Sequence, residues 1–197
     1  LTVRRSRPPS AAAELRALTD MKHLVTVLDW YGPYNYEEAL AAAKSDFADG
    51  MYLCTGKVKS AHGNPKIQYV GIAGKELKTR VGDNHHKLKL VTRERLFWFG
   101  EIGSLGPPGK KAKKTNASLD FAEWALVYFL QPPLNSKKKK SPPQRPVTVL
   151  NRWWRKDFDT PWIKRPHPDW PDLIDYLGPD IKAKVVWFKS PRRVDVS

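Results

Sequence analysis

The sequence predicts an α/β protein of the α+β kind, built on a small antiparallel or mixed three-stranded sheet that helices flank. Three short apolar runs, at residues 51–55, 67–73 and 96–102, have the length and composition of buried strands. Helical patterns precede the first run and follow the third. Hydrophobic residues make up 41% of the 197 residues, which is enough to bury a core.

The region before the sheet, residues 1–48, is predicted to be a basic N-terminal arm followed by a helical extension. The arm is rich in Arg and Pro and offers little to bury. Residues 24–30 are expected to form a short strand. Asn35 and Glu38 have the spacing of a capping box, so a helix is expected to begin there and to end near Gly50, which would cap its C-terminus.

The core is predicted to span residues 49–136. Its first two strands are separated by Ser-Ala-His-Gly-Asn-Pro, a turn-forming sequence that predicts an antiparallel hairpin. Residues 75–81 have helical composition. A longer helix is expected over 119–130, with Asn116 or Ser118 as its cap, and the following Gln-Pro-Pro ends it.

The C-terminal region, residues 137–197, is predicted to be a basic, proline-rich linker and then a Trp-rich extension. A strand is expected at residues 184–189. Because large aromatic side chains dominate protein cores, the extension is expected to pack on the core. Stacking of its tryptophans on unpaired bases is the alternative.

The charge of the chain favours a polyanionic partner. Lys and Arg total 35 and Asp and Glu total 20, a formal net charge of +15. Such a surplus attracts nucleic acid, and we expect DNA, most simply double-stranded DNA. Two lysine-rich loops are predicted to follow the DNA backbone, with solvated flexible loops as the alternative. Their lysines are Lys110, Lys111, Lys113, Lys114, Lys137, Lys138, Lys139 and Lys140.

Two further observations concern the cell compartment. No run of about 18 apolar residues occurs, so neither a transmembrane helix nor a membrane partner is expected. The single cysteine, Cys54, excludes an internal disulfide and fits the reducing cytoplasm.

Glu123 is the first residue that points to chemistry. On a helical period it shares a face with Leu119, Leu126, Val127 and Leu130. A carboxylate on an apolar face is costly unless a positive group compensates it. Glu123 is therefore either the partner of a Lys or Arg side chain, or a metal ligand or general base, and the helix alone leaves both readings open.

An ordered set of half-motifs surrounds Glu123 in the sequence and resembles the GIY-YIG nuclease family over residues 49–136. The set is Gly50-Met51-Tyr52, Tyr69-Val70-Gly71, Arg80, a histidine, Glu123 and Pro133-Leu134-Asn135. Each half-motif is weak alone, and the order of all six gives the resemblance its weight.

This sequence departs from the family pattern at three positions. Met51 and Val70 replace isoleucines, which is conservative in buried strands. The family places His or Tyr four residues after the arginine, where this chain has Asn84. His85 is therefore assigned the histidine role, with His86 as the alternative.

The resemblance implies an α/β core that hydrolyses phosphodiester bonds with one divalent metal ion. Glu123 would hold Mg²⁺ or Mn²⁺, hard ions that prefer oxygen ligands. Tyr52 would be the general base, which requires its phenol to ionise below the ordinary pKa of about 10. Arg80 would bind the scissile phosphate and stabilise its developing charge.

Three more residues complete the implied catalytic site. Tyr69 would orient water or phosphate. His85 would accept the Tyr52 proton, and Asn135 would contact phosphate and brace the site.

The sequence therefore predicts a metal-dependent DNA endonuclease, first of the restriction or defence type that cuts at a specific sequence. A repair, recombination or homing-type nuclease is the alternative, and a non-catalytic nucleic-acid-binding protein on the same scaffold is the rival from another class. Because a double-strand cut needs two cleavage events, a homodimer is a further expectation.

Overall fold

The structure is a computed structural model that describes residues 23–47, 50–74, 77–82, 85–104 and 116–188. The predicted basic arm and the first lysine-rich loop, with Lys110, Lys111, Lys113 and Lys114, lie outside the described residues. Within the described ranges, no helix combines the length and the apolar character needed to cross a bilayer.

Seven strands form one mixed sheet. In chain order they are β1 Leu24–Tyr34, β2 Gly50–Val58, β3 Lys66–Ala73, β4 Val91–Ile102, β5 Val147–Trp154, β6 Leu173–Tyr176 and β7 Lys184–Val186. Their order across the sheet is β3-β2-β4-β1-β5-β6-β7. The pairing of β1 with β5 is parallel and the other pairings are antiparallel.

Three α-helices accompany the sheet in the described part of the chain. They are α1 Tyr36–Ser45, α2 Leu77–Val81 and α3 Asn116–Leu130, and a single 3₁₀ turn covers Leu88–Leu90. The buried side of α3 packs with Met51, Leu53 and Val70 on one face of the sheet. The other two helices pack with tyrosines and phenylalanines of the opposite face.

The predicted three-stranded sheet flanked by helices is wrong. The three expected strands are present and adjacent, but β4 also pairs with β1, in a register that sets Leu28 opposite Ile102. The free edge of β1 then takes β5, with Leu24 opposite Val147, and two more strands follow. Segments assigned to the two extensions therefore supply four of the seven strands. The pairing that joins the two extensions, β1 with β5, connects residues over 100 positions apart.

Local predictions fare better than the sheet as a whole. The hairpin of β2 and β3 is confirmed. The capping box is confirmed as well, since Asn35 Oδ1 accepts from the Glu38 amide at 2.9 Å and Glu38 Oε2 accepts from the Asn35 amide at 2.9 Å. Gly50 does not cap this helix, which ends at Ser45 with Asp46 as its C-cap. Gly50 instead opens β2 at φ +137°, where a Cβ would lie 2.7 Å from the Gly100 carbonyl oxygen.

Tryptophans from both halves of the chain meet in the core under α3. The Trp170 ring lies 4.9 Å from that of Trp30, 5.6 Å from that of Trp98 and 5.7 Å from that of Trp153. Trp30 Nε1 donates to Asn151 Oδ1 at 2.8 Å, so its buried polar atom is satisfied. The C-terminal region is thus continuous with the core of the sheet.

Candidate active site

The tyrosine half-motifs lie side by side on the β2–β3 hairpin. The rings of Tyr52 and Tyr69 stack with centroids 5.7 Å apart, and Tyr52 is 2% exposed. Tyr52 lies opposite Gly71 in the sheet register. A Cβ on Gly71 would lie 2.7 Å from the Tyr52 hydroxyl oxygen and 2.8 Å from Tyr69 Cε1. The missing side chain of Gly71 therefore makes the room that both rings occupy.

His85 joins this pair, and its tautomer sets the direction of the hydrogen bond between His85 and Tyr52. His85 Nδ1 accepts from the Leu88 amide at 3.2 Å, so the proton of the neutral ring lies on Nε2. His85 Nε2 is 3.3 Å from the Tyr52 hydroxyl, to which it donates. The hydroxyls of Tyr52 and Tyr69 also act on each other electrostatically. We call these three residues the strand wall.

The strand wall is uncharged at neutral pH. Burial, and then the neighbouring Tyr69, raise the pKa of Tyr52 far above its ordinary value. Burial also raises the pKa of Tyr69, although its interaction with Tyr52 opposes this rise. Burial, followed by the charges of His86 and Arg80, lowers the pKa of His85. Because Nε2 carries the proton, the predicted role of His85 as acceptor for the Tyr52 proton requires the other tautomer.

Glu123, on α3, lines the same cleft as Tyr69 of the strand wall. Its side chain is 14% exposed, and its Oε2 lies 2.5 Å from Lys138 Nζ. Lys138 Nζ also lies 2.6 Å from Oδ1 of Asp120 and donates to the Asp120 carbonyl at 3.1 Å. Burial raises the pKa of Glu123, and the Lys138 ammonium opposes this rise. In the structure Glu123 is therefore the partner of a lysine, the first of the two alternatives that the sequence left open. We call Glu123, Asp120 and Lys138 the helix wall.

Asn135 connects the two walls. Its Oδ1 accepts from the Val70 amide at 2.9 Å, and its Nδ2 donates to the Val70 carbonyl at 2.7 Å. The neighbouring Leu134 amide donates to the Gln68 carbonyl at 3.0 Å. The segment that follows α3 therefore lies against the outer edge of β3 like a short extra strand. This geometry braces the site, and the phosphate contact of Asn135 stays a prediction.

A cleft of about 330 Å³ lies between the walls. Arg80 is exposed on α2, and no hydrogen bond ties it to another described residue. Its charge acts on four of the other candidate groups, Tyr52, Tyr69, His85 and Glu123. The cleft is lined by Tyr69, His86, Lys87, Glu123, Val127, Leu134, Asn135, Ser136, Lys137 and Lys138.

The second lysine-rich loop divides into inward and outward side chains. Lys137 and Lys140 are exposed, as nucleic-acid contacts must be. Lys138 belongs to the helix wall, and Lys139 Nζ donates to the Pro132 carbonyl at 3.0 Å. Sequence reasoning missed the inward turn of Lys138, because four consecutive lysines contain no signal that distinguishes one from another.

The donors at the helix wall fit a hard divalent ion. The described residues contain no group of three or more His, Cys, Asp or Glu that would form a protein-only cage. Mg²⁺ keeps several waters and is commonly held by one or two carboxylates, so Glu123 beside a cleft of this size is a suitable donor. The Lys138 ammonium already pairs with this carboxylate, so an ion held by Glu123 would compete with it for the negative charge.

Comparison with protein-family models, with curated proteins and with solved structures finds no match for this chain. The likeness to GIY-YIG nucleases therefore depends on the residues and their arrangement alone.

Proposed function

We propose that this protein is a metal-dependent endonuclease that hydrolyses phosphodiester bonds of DNA in the cleft between the strand wall and the helix wall. One observation carries the proposal. Six residues chosen from the order of sequence motifs come together at or beside one cleft. Tyr69, Glu123 and Asn135 line it, and Tyr52 and His85, 3.3 Å apart, lie next to Tyr69. The charge of Arg80 acts on Tyr52 and Glu123.

Glu123 would hold the divalent ion, Mg²⁺ or Mn²⁺, one in each site. When bound, such an ion stabilises phosphoryl charge and lowers the pKa of a water molecule. Arg80 supplies the second positive group, since an exposed guanidinium binds two phosphate oxygens in parallel. Positive charge is what the reaction needs most, because charge on the phosphate rises as the new bond forms.

Tyr52 is the proposed general base, and two neighbouring groups, His85 and Arg80, favour its ionised form. The proton that His85 donates stabilises a Tyr52 phenolate, and the charge of Arg80 lowers the pKa of Tyr52 against the effect of burial. Tyr69 lines the cleft in front of Tyr52 and orients the attacking water. Tyr52 would first lose its own proton to solvent, and the phenolate would then take a proton from the attacking water.

The net charge of +15 and the exposed Lys137 and Lys140 support duplex DNA as the substrate. We propose a restriction or defence enzyme of the cytoplasm, in which two copies act together on the two strands. A specific recognition sequence is part of this proposal, and the fragments that the enzyme produces would define it.

The testing experiment is plasmid cleavage with Mg²⁺ or Mn²⁺ against EDTA, with the Glu123→Gln variant beside the wild type. We expect metal-dependent fragments whose rate of formation falls at least about 10³-fold in Glu123→Gln, because the sole proposed ion ligand is neutralised. Glu37→Gln, at an exposed position in the first turn of α1, is the matched control and should cut normally. Metal-dependent cutting retained by Glu123→Gln would contradict the proposal, and cutting at branched or damaged sites alone would favour a repair enzyme.

The second candidate is a non-catalytic nucleic-acid-binding protein. The ion pair of Glu123 with Lys138 favours it, because a lysine that permanently neutralises this carboxylate leaves no ligand for a metal ion. This candidate predicts tight, salt-sensitive DNA binding with no cleavage of duplex DNA, single strands or RNA at any metal concentration.

A further inference from the structure

The positive partner of Glu123 is supplied by the chain itself. The Lys138 ammonium has three acceptors for its three protons, which are Glu123 Oε2, Asp120 Oδ1 and the Asp120 carbonyl. Its side chain is 21% exposed, so the bonds are partly shielded from water. This arrangement differs from an ordinary surface ion pair, which is held by one contact and is largely screened.

The backbone around Lys138 is shaped to direct this side chain inward. Lys138 has φ +62°, a left-handed conformation that a residue with a Cβ rarely adopts. Just after it, Gln131 Nε2 donates to the Lys139 carbonyl at 3.1 Å and Trp124 Nε1 donates to the Ser141 carbonyl at 2.9 Å. The inward turn is therefore part of how the segment folds on α3, whereas Lys137 and Lys140 of the same run stay exposed.

Resting on the proposed function, we propose that Lys138 is a tethered competitor of the divalent ion at Glu123. The ammonium and the ion would share the Glu123 carboxylate, and two positive charges beside one carboxylate repel, so each would displace the other. Lys138 lines the cleft and has a flexible four-carbon side chain, which lets the ammonium swing away while the backbone remains anchored.

This exchange links two binding events. With Glu123 holding the ion, the Lys138 ammonium would become one more positive charge on the cleft wall beside Lys137. Metal binding then strengthens phosphate binding, and by reciprocity DNA strengthens metal binding by the same factor. The exchange would therefore give the Glu123 site a low affinity for the ion without DNA and a higher affinity with DNA bound.

The test is calorimetric titration of the whole protein with Mn²⁺. We expect Lys138→Met to bind Mn²⁺ about tenfold more tightly than the wild type, within the range of about 5- to 150-fold found for coupled sites. Lys137→Met is the matched control, because its side chain lines the same cleft without touching Glu123, and it should change the Kd by less than about twofold. Lys138→Gln repeats the comparison with a side chain that still donates hydrogen bonds, in case Lys138→Met does not fold.

Two results would overturn the competition. Equal Mn²⁺ affinity in wild type and Lys138→Met, with binding lost in Glu123→Gln, would remove the inference and leave the proposed function intact. No Mn²⁺ binding in any of these proteins would make Lys138 the permanent partner of Glu123, and the metal-dependent function would fail with the inference.

Amine labelling provides a readout that does not depend on affinity. Acetylation of the wild type followed by mass spectrometry should show Lys138 labelled severalfold faster when Mn²⁺ is present, because its ammonium leaves the carboxylates. Lys140, exposed throughout, should be labelled at the same rate in both conditions. Unchanged labelling of Lys138 at saturating Mn²⁺ would contradict the exchange.

Discussion

The two walls of the cleft differ in what holds them. The strand wall is a set of neutral groups, placed by a hairpin register and by the missing side chain of Gly71. Within it, His85 donates to Tyr52, and Tyr52 stacks on Tyr69. The helix wall consists of charged groups that already pair with one another, since the Lys138 ammonium bonds to both the Asp120 and the Glu123 carboxylates. The comparison teaches that each wall must change before the proposed reaction: the pKa of Tyr52, which burial raises, must fall, and the helix wall must exchange its cation.

Gly71→Ala should damage the strand wall most. The new Cβ would meet the hydroxyl end of Tyr52 and the edge of Tyr69 at distances that no real contact allows, so both rings must move. A displacement near 1 Å at a catalytic group lowers the rate about 100-fold, and we expect a loss of that size in plasmid cleavage. We also expect the free energy of unfolding to fall by about 1–3 kcal/mol, as overpacking does elsewhere.

Gly74→Ala is the control for this substitution. It lies just after the same strand, and a Cβ there would meet nothing within 4 Å. Cleavage and stability near wild type are expected. If Gly71→Ala cut DNA as fast as Gly74→Ala, the tyrosine pair would not be the catalytic part of the cleft.

Asn135→Ala should loosen the connection between the walls. It removes both bonds to the Val70 peptide, and we expect the free energy of unfolding in urea to fall by about 1–3 kcal/mol. Asn135→Asp keeps the acceptor and loses the donor, so its loss should be intermediate. An Asn135→Ala protein that unfolds like the wild type but fails to cut would favour the phosphate contact over the bracing role.

The smallest expected effect is the pH response of His85. Its pKa lies below the ordinary value of 6.5 in the folded protein, so the unfolded chain binds the proton first as the pH falls. Stability contributed by the neutral ring is therefore present above pH 6.5 and is lost as the pH drops below it. Urea denaturation of the wild type from pH 7.5 to pH 5 should show this slope, and His85→Gln should show less of it. An identical slope in both proteins would contradict a buried, neutral His85.

Prediction from the sequence succeeds where the determining contacts are local. The capping box needs only Asn35 and Glu38, and the hairpin needs two apolar runs with a turn between them. The wider sheet depends on β1 pairing with β4 and β5, and nothing near Leu24 in the sequence specifies Val147. The partner of Glu123 could not be predicted for a related reason. Which of the four lysines turns inward depends on the left-handed backbone of Lys138 and on the hydrogen bonds from Gln131 and Trp124 to the residues after it.

The most direct test of the account is the position of Mn²⁺ in crystals of the wild-type protein, located by anomalous diffraction. We predict one strong peak within coordination distance of a Glu123 carboxylate oxygen, with the Lys138 side chain turned away from it. A Lys138 ammonium still bonded to Glu123 and Asp120, with no Mn²⁺ in the cleft at saturating concentration, would contradict the claim that the two walls form a metal-dependent active site.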